Sequence, residues 1–315
     1  MEQQKKKLIV LTGPTAVGKT KLSIQLAKAI GGEIISADSM QVYRGMDIGS
    51  AKITEEEKEG IPHYLIDVLE PSEEFNIVLF QKLAKEAIGQ IHAKDKIPII
   101  AGGTGFYIQS VLYDIDFSEH DEKDGIRDEL EAIAKEEQGT HRLHERLKEV
   151  DPESAKIIHE NNVKRVIRAL EFYEETGMRI SEHNKEQHQK ESPYDVSYFV
   201  LNDDRAKVYE RIDKRVDLMI KAGLVEEVRR LKEQGCRRDM VSMQGLGYKE
   251  ILDYLDGEIP LEEAIYRIKR DTRHFAKRQL TWFKRERNVI WLDRSAYGDS
   301  DDRILAAMLE IISRS

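Results

Sequence analysis

The sequence predicts an α/β protein: a P-loop NTPase-like parallel sheet flanked by helices, interrupted by an all-helical insertion domain. Three observations predict it. Strand-like and helix-like segments alternate over the first third of the chain. A complete glycine-rich loop motif joins the first of these strands to the first helix. From Glu119 to Asp195 the pattern turns helical and highly charged, with no convincing strand. The α/β core is therefore expected at 1–117 and 196–315, and the insertion at 118–195.

Leu8–Thr12 reads as a buried strand that leads into the loop. Lys19–Ile30 follows with helical spacing at Leu22, Leu26 and Ile30. Glu33–Ala37 is a second strand, and His63–Leu69 a third. Ile77–Ala93 is a helix, and Ile97–Ala101 a strand closed by Gly102-Gly103. In the insertion, helices are expected near Ile126–Glu137, His141–Val150 and Val163–Thr176, with Gly177 as a C-cap. The sheet resumes at Val196–Leu201. One long amphipathic helix is expected over Arg205–Gln234, on the stripe Val208, Ile212, Val216, Met219, Ile220, Leu224, Val228 and Leu231. Asn288–Leu292 reads as the last strand and Arg303–Ile312 as the last helix.

The bulk composition narrows the function classes. A chain of 315 residues is long for one domain. No apolar run approaches the roughly 20 residues that span a bilayer, so no membrane role is expected and a cytoplasmic location is. The single Cys236 excludes an internal disulfide and a cysteine-based zinc site. The net charge of −9 argues against a polyanion partner. The stretch Ala264–Asn288 argues the other way, with nine basic residues against Asp271 and Glu286, and with Tyr266, Phe275, Trp282 and Phe283 among them. Such a stretch is either a nucleic-acid footprint or an ordinary amphipathic helix. Six of the nine histidines, His120, His141, His144, His159, His183 and His188, fall in the insertion and read as surface residues.

The chemistry begins at Gly13-Pro14-Thr15-Ala16-Val17-Gly18-Lys19-Thr20, which matches G-x-x-x-x-G-K-[ST] between a strand and a helix. Its glycines let the backbone wrap an anion, and the helix N-terminus adds positive potential. Lys19 adds a full charge, and the Thr20 hydroxyl is placed to hold Mg²⁺. A nucleoside triphosphatase would also present an Asp from a neighbouring strand. Here Ile97–Ala101 ends in Gly102-Gly103-Thr104-Gly105, without a carboxylate. The acid sits instead at Asp38, past the second strand, where the ends of parallel strands face the ligand crevice. An Asp in that place either caps a turn or acts as a general base. Thr104 is either a ligand contact or part of a tight turn. Arg211 and Arg215, one turn apart, are either solvated or within reach of a diphosphate.

Taken together, these residues resemble the tRNA dimethylallyltransferase family, also called tRNA isopentenyltransferases, over essentially the whole chain. The resemblance is carried by Gly13–Thr20, by the run Ser36-Ala37-Asp38-Ser39-Met40-Gln41-Val42-Tyr43-Arg44-Gly45-Met46-Asp47-Ile48-Gly49-Ser50-Ala51-Lys52, and by Gly102-Gly103-Thr104-Gly105. Lys164–Glu171, Arg211–Leu224 and Gly245-Leu246-Gly247-Tyr248-Lys249 add to it. The resemblance is to the bacterial type, because no C-terminal zinc finger follows. It implies transfer of the dimethylallyl group from dimethylallyl diphosphate to N6 of adenosine 37, in tRNAs that read codons starting with U. It implies that the loop holds a diphosphate, with Mg²⁺ as cofactor. Asp38, Thr104 and Arg215 are then catalytic. For the tRNA anticodon arm it implicates Asp38, Ser39, Met40, Gln41, Thr104, Arg127, Lys164, Arg165, Val166, Ile167, Arg168, Gln244, Gly245, Leu246, Gly247, Tyr248 and Lys249. A monomer is expected. A small-metabolite P-loop kinase and an adenylate isopentenyltransferase are the enzyme rivals; neither needs a tRNA-gripping insertion. A GTPase-like RNA-binding module would need an N-K-x-D motif, which the chain lacks.

Overall fold

Leu8, Val10 and Leu11 are fully buried and Ile9 nearly so, as a strand covered on both faces must be. They belong to β1 (Lys7–Thr12) of a computed structural model that describes residues 5–116 and 125–314. In chain order there follow α1 (Lys19–Ile30), β2 (Gly32–Ala37), α2 (Glu55–Lys58), β3 (His63–Tyr64), α3 (Ile77–His92), β4 (Ile97–Gly102) and α4 (Gly105–Leu112). Next come α5 (Ile126–Lys135), α6 (Gly139–Val150), α7 (Pro152–Ile157), α8 (Val163–Thr176) and α9 (Ile180–Gln189). Then β5 (Asp195–Asn202), α10 (Arg205–Lys221), α11 (Leu224–Glu233), α12 (Tyr248–Leu255), α13 (Leu261–Phe283), β6 (Val289–Asp293) and α14 (Asp301–Arg314) complete the order.

The six strands form one parallel sheet in the order β3-β2-β4-β1-β5-β6. The parallel α/β fold expected from the alternation is the one observed. Ile9, Leu11, Ile34, Ile99, Phe199 and Leu292 of the sheet meet Leu22 and Leu26 of α1 and Ile304 and Met308 of α14. Each such side chain contributes about 1.5–3 kcal/mol by leaving water. Near the starting end of the sheet, Glu33 of β2 is buried and bonded by Tyr64 at 2.7 Å, Lys94 at 3.0 Å and Lys96 at 2.8 Å.

The chain divides into two compact units: residues up to Leu112 together with those from Ser192 onward, and Tyr113–Glu191. The expected border at 117/118, and His120, lie outside the described residues. The smaller unit has its own core of Leu130, Leu143, Leu147, Val166, Ile167 and Leu170. In it the buried carboxylate of Asp151 caps α7, accepting the Ser154 amide at 3.0 Å, and also accepts the Ser181 amide of α9 at 2.9 Å.

Three expectations need correction. The helix expected over Arg205–Gln234 is two, α10 and α11, because the backbone at Gly223 turns left-handed with φ +101°. The apolar stripe keeps its spacing across the break, so periodicity alone could not reveal it. The strand expected at His63–Leu69 is confined to His63–Tyr64, since Leu65 and Asp67 adopt φ +61° and +53°. His144 is buried rather than on the surface, its Nε2 2.8 Å from the Ile158 carbonyl. The basic stretch, open between two readings in the sequence, is in part ion-paired on α13. Lys269 and Arg273 reach Asp217 and Asp213 of α10, Arg267 pairs with Glu263, and Arg270 with Asp271.

Candidate active site

The glycine-rich loop runs from the end of β1 into α1, at the carboxyl ends of the strands. Gly13 holds φ +143°, and a Cβ there would stand 2.2 Å from the Leu201 carbonyl oxygen of the neighbouring strand. No side chain fits, which is why the loop starts with glycine. Gly18, at φ +98°, turns the chain into the N-terminus of α1. The Lys19 ammonium donates to the carbonyls of Gly13 at 3.0 Å and Pro14 at 2.8 Å, so the lysine lies along its own loop. On the far side Arg294 reaches the Val17 carbonyl and pairs with Asp301 at 2.7 Å.

A cavity of about 940 Å³ opens beside this loop. Thr15, Lys19 and Thr20 line it from the loop, Asp38 to Gln41 from the turn after β2, and Gly103 and Thr104 from the turn after β4. Arg215 enters from α10, and Gln244, Gly245, Leu246 and Lys249 from the segment around the start of α12. Asp38, Thr104 and Arg215, widely spaced in the sequence, are thus brought to one space. Arg211 is not among its walls; its guanidinium pairs with the fully buried Asp203 carboxylate. Arg278 and Phe275 of α13 also line the cavity, the guanidinium 5.8 Å from the ring. In the sequence they stand only as members of a basic and aromatic run.

The charges in this space act on one another. Burial pushes the Asp38 carboxyl above its ordinary range, against the Met40 amide, the Lys19 charge and the Arg215 charge. Its Oδ1 accepts the Met40 amide at 2.9 Å, which fixes the turn and aims the carboxylate. The Lys19 amine is pushed down to about 7, first by burial and then by the neighbouring Arg215, with Asp38 pulling the other way. Burial also lowers Arg215, opposed by Asp38 and Glu57.

Part of the long run after Asp38, Asp47 to Gly49, is held by a single carboxylate. Glu227 of α11 accepts the amides of Asp47 at 3.0 Å, Ile48 at 2.9 Å and Gly49 at 3.1 Å. The Tyr248 ring lies against Gly49, where a Cβ would meet it at 2.5 Å. Met40 lies against Gly245 in the same way. These contacts give a physical reason for the two motifs to occur together. Ser36 bonds the Gln41 side chain, whose amide donates to the Ala51 carbonyl.

Several of the residues expected to touch tRNA have buried side chains. Tyr248 is fully buried, and Val166 and Ile167 belong to the core of the smaller unit. Any RNA contact at these three positions falls to the backbone. Lys164, Arg165 and Arg168 occupy exposed positions of the same helix. Arg168 and Arg127 share the Glu171 carboxylate, at 2.9 Å and 3.5 Å. Among the described residues, no group of three His, Cys, Asp or Glu could hold a metal ion, and no helix is long and apolar enough to cross a membrane. The side-chain oxygens that the loop offers are the hydroxyls of Thr15 and Thr20, with no carboxylate among them. That suits an ion held mainly by phosphate oxygens and water, as Mg²⁺ is.

A glycine-rich loop that shares its cavity with a buried carboxylate, with no acid at the end of β4, fits a P-loop enzyme of the transferase class. Comparison with known proteins narrows this further. The model of the family described as IPP transferase matches residues 41–286. A tRNA dimethylallyltransferase of Lachnoclostridium phytofermentans is 63% identical over 97% of both chains. The crystal structure of a tRNA isopentenylpyrophosphate transferase from Bacillus halodurans has 45% identity and a TM-score of 0.74, over 98% of this chain and 96% of that one. A eukaryotic dimethylallyltransferase, solved acting on tRNA, has 33% identity and a TM-score of 0.83, over 98% of this chain and 80% of its own. The chain belongs to the IPP transferase family.

Proposed function

We propose that this protein transfers the dimethylallyl group from dimethylallyl diphosphate to N6 of adenosine 37, in tRNAs that read codons starting with U. The observation that carries the reading is the convergence of Lys19, Arg215, Asp38 and Thr104 on one cavity. Its volume of about 940 Å³ is near the upper end for small-molecule sites, which suits two reactants better than one.

The reaction asks for two things. The N6 amine is a weak nucleophile, because its lone pair is delocalised into the ring. Asp38 takes its proton as the N6–C1 bond forms, and burial makes that carboxylate more basic than usual. The C1–O bond breaks, and charge grows on the departing diphosphate. The loop amides, Lys19 and Arg215 stabilise that charge. Thr20 would hold Mg²⁺, which would supply further positive charge against the leaving group. Thr104 stands at the wall next to Asp38.

An adenine must leave its stack to reach the site. The loop segments Asp38–Gln41 and Gln244–Lys249 suit contact with the extruded nucleotide, and Arg127, Lys164, Arg165 and Arg168 suit contact with the anticodon arm. The protein is read as a cytoplasmic monomer. Incubation with labelled dimethylallyl diphosphate and unmodified tRNA, with and without Mg²⁺, tests the reading. Label should appear in tRNA carrying A37 and not in an A37G transcript. Transfer to free AMP instead, or ATP hydrolysis without transfer, would overturn it.

A further inference from the structure

Helix α13 carries Gln279, whose residue surface is 6% exposed and whose carboxamide is used at both ends. Its Oε1 accepts the Thr15 amide of the glycine-rich loop at 2.9 Å. Its Nε2 donates to the Gly103 carbonyl at 3.0 Å. The partners fix the orientation, since a backbone amide only donates and a carbonyl only accepts. The contact is close: a Cβ on Gly103 would stand 2.2 Å from Nε2. The next residue, Thr104, donates its amide to the Ala37 carbonyl at 3.2 Å, and Ala37 precedes Asp38.

A connected path therefore runs from the loop through Gln279 to the turn after β4, and on to the strand end bearing Asp38. The same helix fixes a further wall. Arg273 and Lys269 pair with Asp213 and Asp217, which flank Arg215 on α10. We infer that Gln279 is a positioning residue: it sets the separation between the loop that holds the leaving diphosphate and the wall of Thr104 and Asp38 where the nucleophile is deprotonated. This rests on the prenyl-transfer reading above. Gln279 does not act on the reacting atoms. It also engages the Thr15 amide, which is therefore not free for the anion.

An allylic carbon that ionises at the wrong distance from N6 is open to water. In that side reaction the C1–O bond breaks, diphosphate leaves, and water oxygen bonds to C1 and loses a proton, giving dimethylallyl alcohol. Gln279→Leu removes both hydrogen bonds at similar volume. It is expected to lower kcat for tRNA prenylation by roughly tenfold to a hundredfold, the scale of a small misplacement. The Kd for tRNA and the KM for dimethylallyl diphosphate should stay within about threefold, on the same reasoning. Diphosphate released per prenyl group transferred should rise above the wild-type ratio. Gln279→Glu, which keeps the acceptor for Thr15 but loses the donor to Gly103, should fall between; it also serves if the leucine variant does not fold. Wild-type kcat and a wild-type release ratio in the glutamate variant would overturn the inference. So would a loss that appears wholly in the tRNA Kd, which would make Gln279 an RNA contact. Wild-type protein is the control arm: if it transfers no prenyl group to tRNA, the functional reading fails rather than the role of Gln279.

Discussion

The Tyr248 hydroxyl donates to the Glu227 carboxylate at 2.9 Å, and both residues are buried. Through that bond the motif at the start of α12 and the run from Asp47 to Gly49 share one anchor. Glu227→Ala leaves three partly buried backbone amides without their acceptor. Water can reach part of that backbone, so each amide costs about 1 kcal/mol, the low end for an unsatisfied group, and the variant should lose about 2–3 kcal/mol of stability. Tyr248→Phe removes one bond and keeps the ring against Gly49, so its loss should be about 1 kcal/mol. Urea unfolding of both variants checks the order; equal losses would contradict the anchor.

Asp38→Asn separates the turn from the base. Asparagine keeps an Oδ1 that can accept the Met40 amide, so the local backbone should persist. Without a carboxylate to take the N6 proton, transfer should fall by about 10²–10⁴. Filter binding of tRNA should be nearly unchanged. An asparagine variant with wild-type turnover would remove Asp38 from the mechanism.

The two arginines on α10 should fail differently. Arg215→Ala should weaken use of the donor, seen as a lower kcat/KM for dimethylallyl diphosphate, at near-normal stability. Arg211→Ala leaves the fully buried Asp203 carboxylate without its cation. Because Arg211 is partly exposed, the cost should be about 1–2 kcal/mol, below that of a wholly buried pair. Thermal unfolding beside steady-state kinetics separates the two, and the reverse pattern would exchange their roles.

The position of Lys19 predicts a basic limb. Its amine is lowered to about 7. The charge that attracts the diphosphate is therefore present below that value and lost as pH rises through it. kcat/KM for the donor should fall on the alkaline side. Arg215 helps push Lys19 down, so Arg215→Gln should move the limb to higher pH while lowering the plateau. An unmoved limb in that variant would show that the two charges do not communicate.

Legibility in the sequence followed the range of the interactions. The loop at Gly13–Thr20 was plain, because its glycines, lysine and threonine are adjacent and its flanks alternate in type. The sheet was plain because its buried strands are nearly continuous apolar runs. The ion pairs of α13 were not, because Asp213 and Asp217 lie on another helix and nothing local marks them. The inward faces of Val166, Ile167 and Tyr248 were hidden by neighbouring basic residues. Gln279 left no signal at all: a neutral amide in a basic and aromatic stretch gives no hint that two distant backbone groups meet on it.

Strand β2 has a carboxyl near each end, and the two are driven in opposite directions. For Glu33, burial is outweighed by bonds from Lys96, Tyr64 and Lys94, which carry it down to about 2. Asp38, just past the other end, is pushed up by its burial. Under falling pH the two therefore respond in sequence. Asp38 takes its proton first, and the reaction stops for want of a base. Glu33 keeps its charge, and the contribution it makes to stability is lost only as the pH falls towards 2. Mild acid on this account silences the enzyme without dismantling its sheet at Glu33, and a return to neutral pH restores activity with no refolding step at that end of the strand.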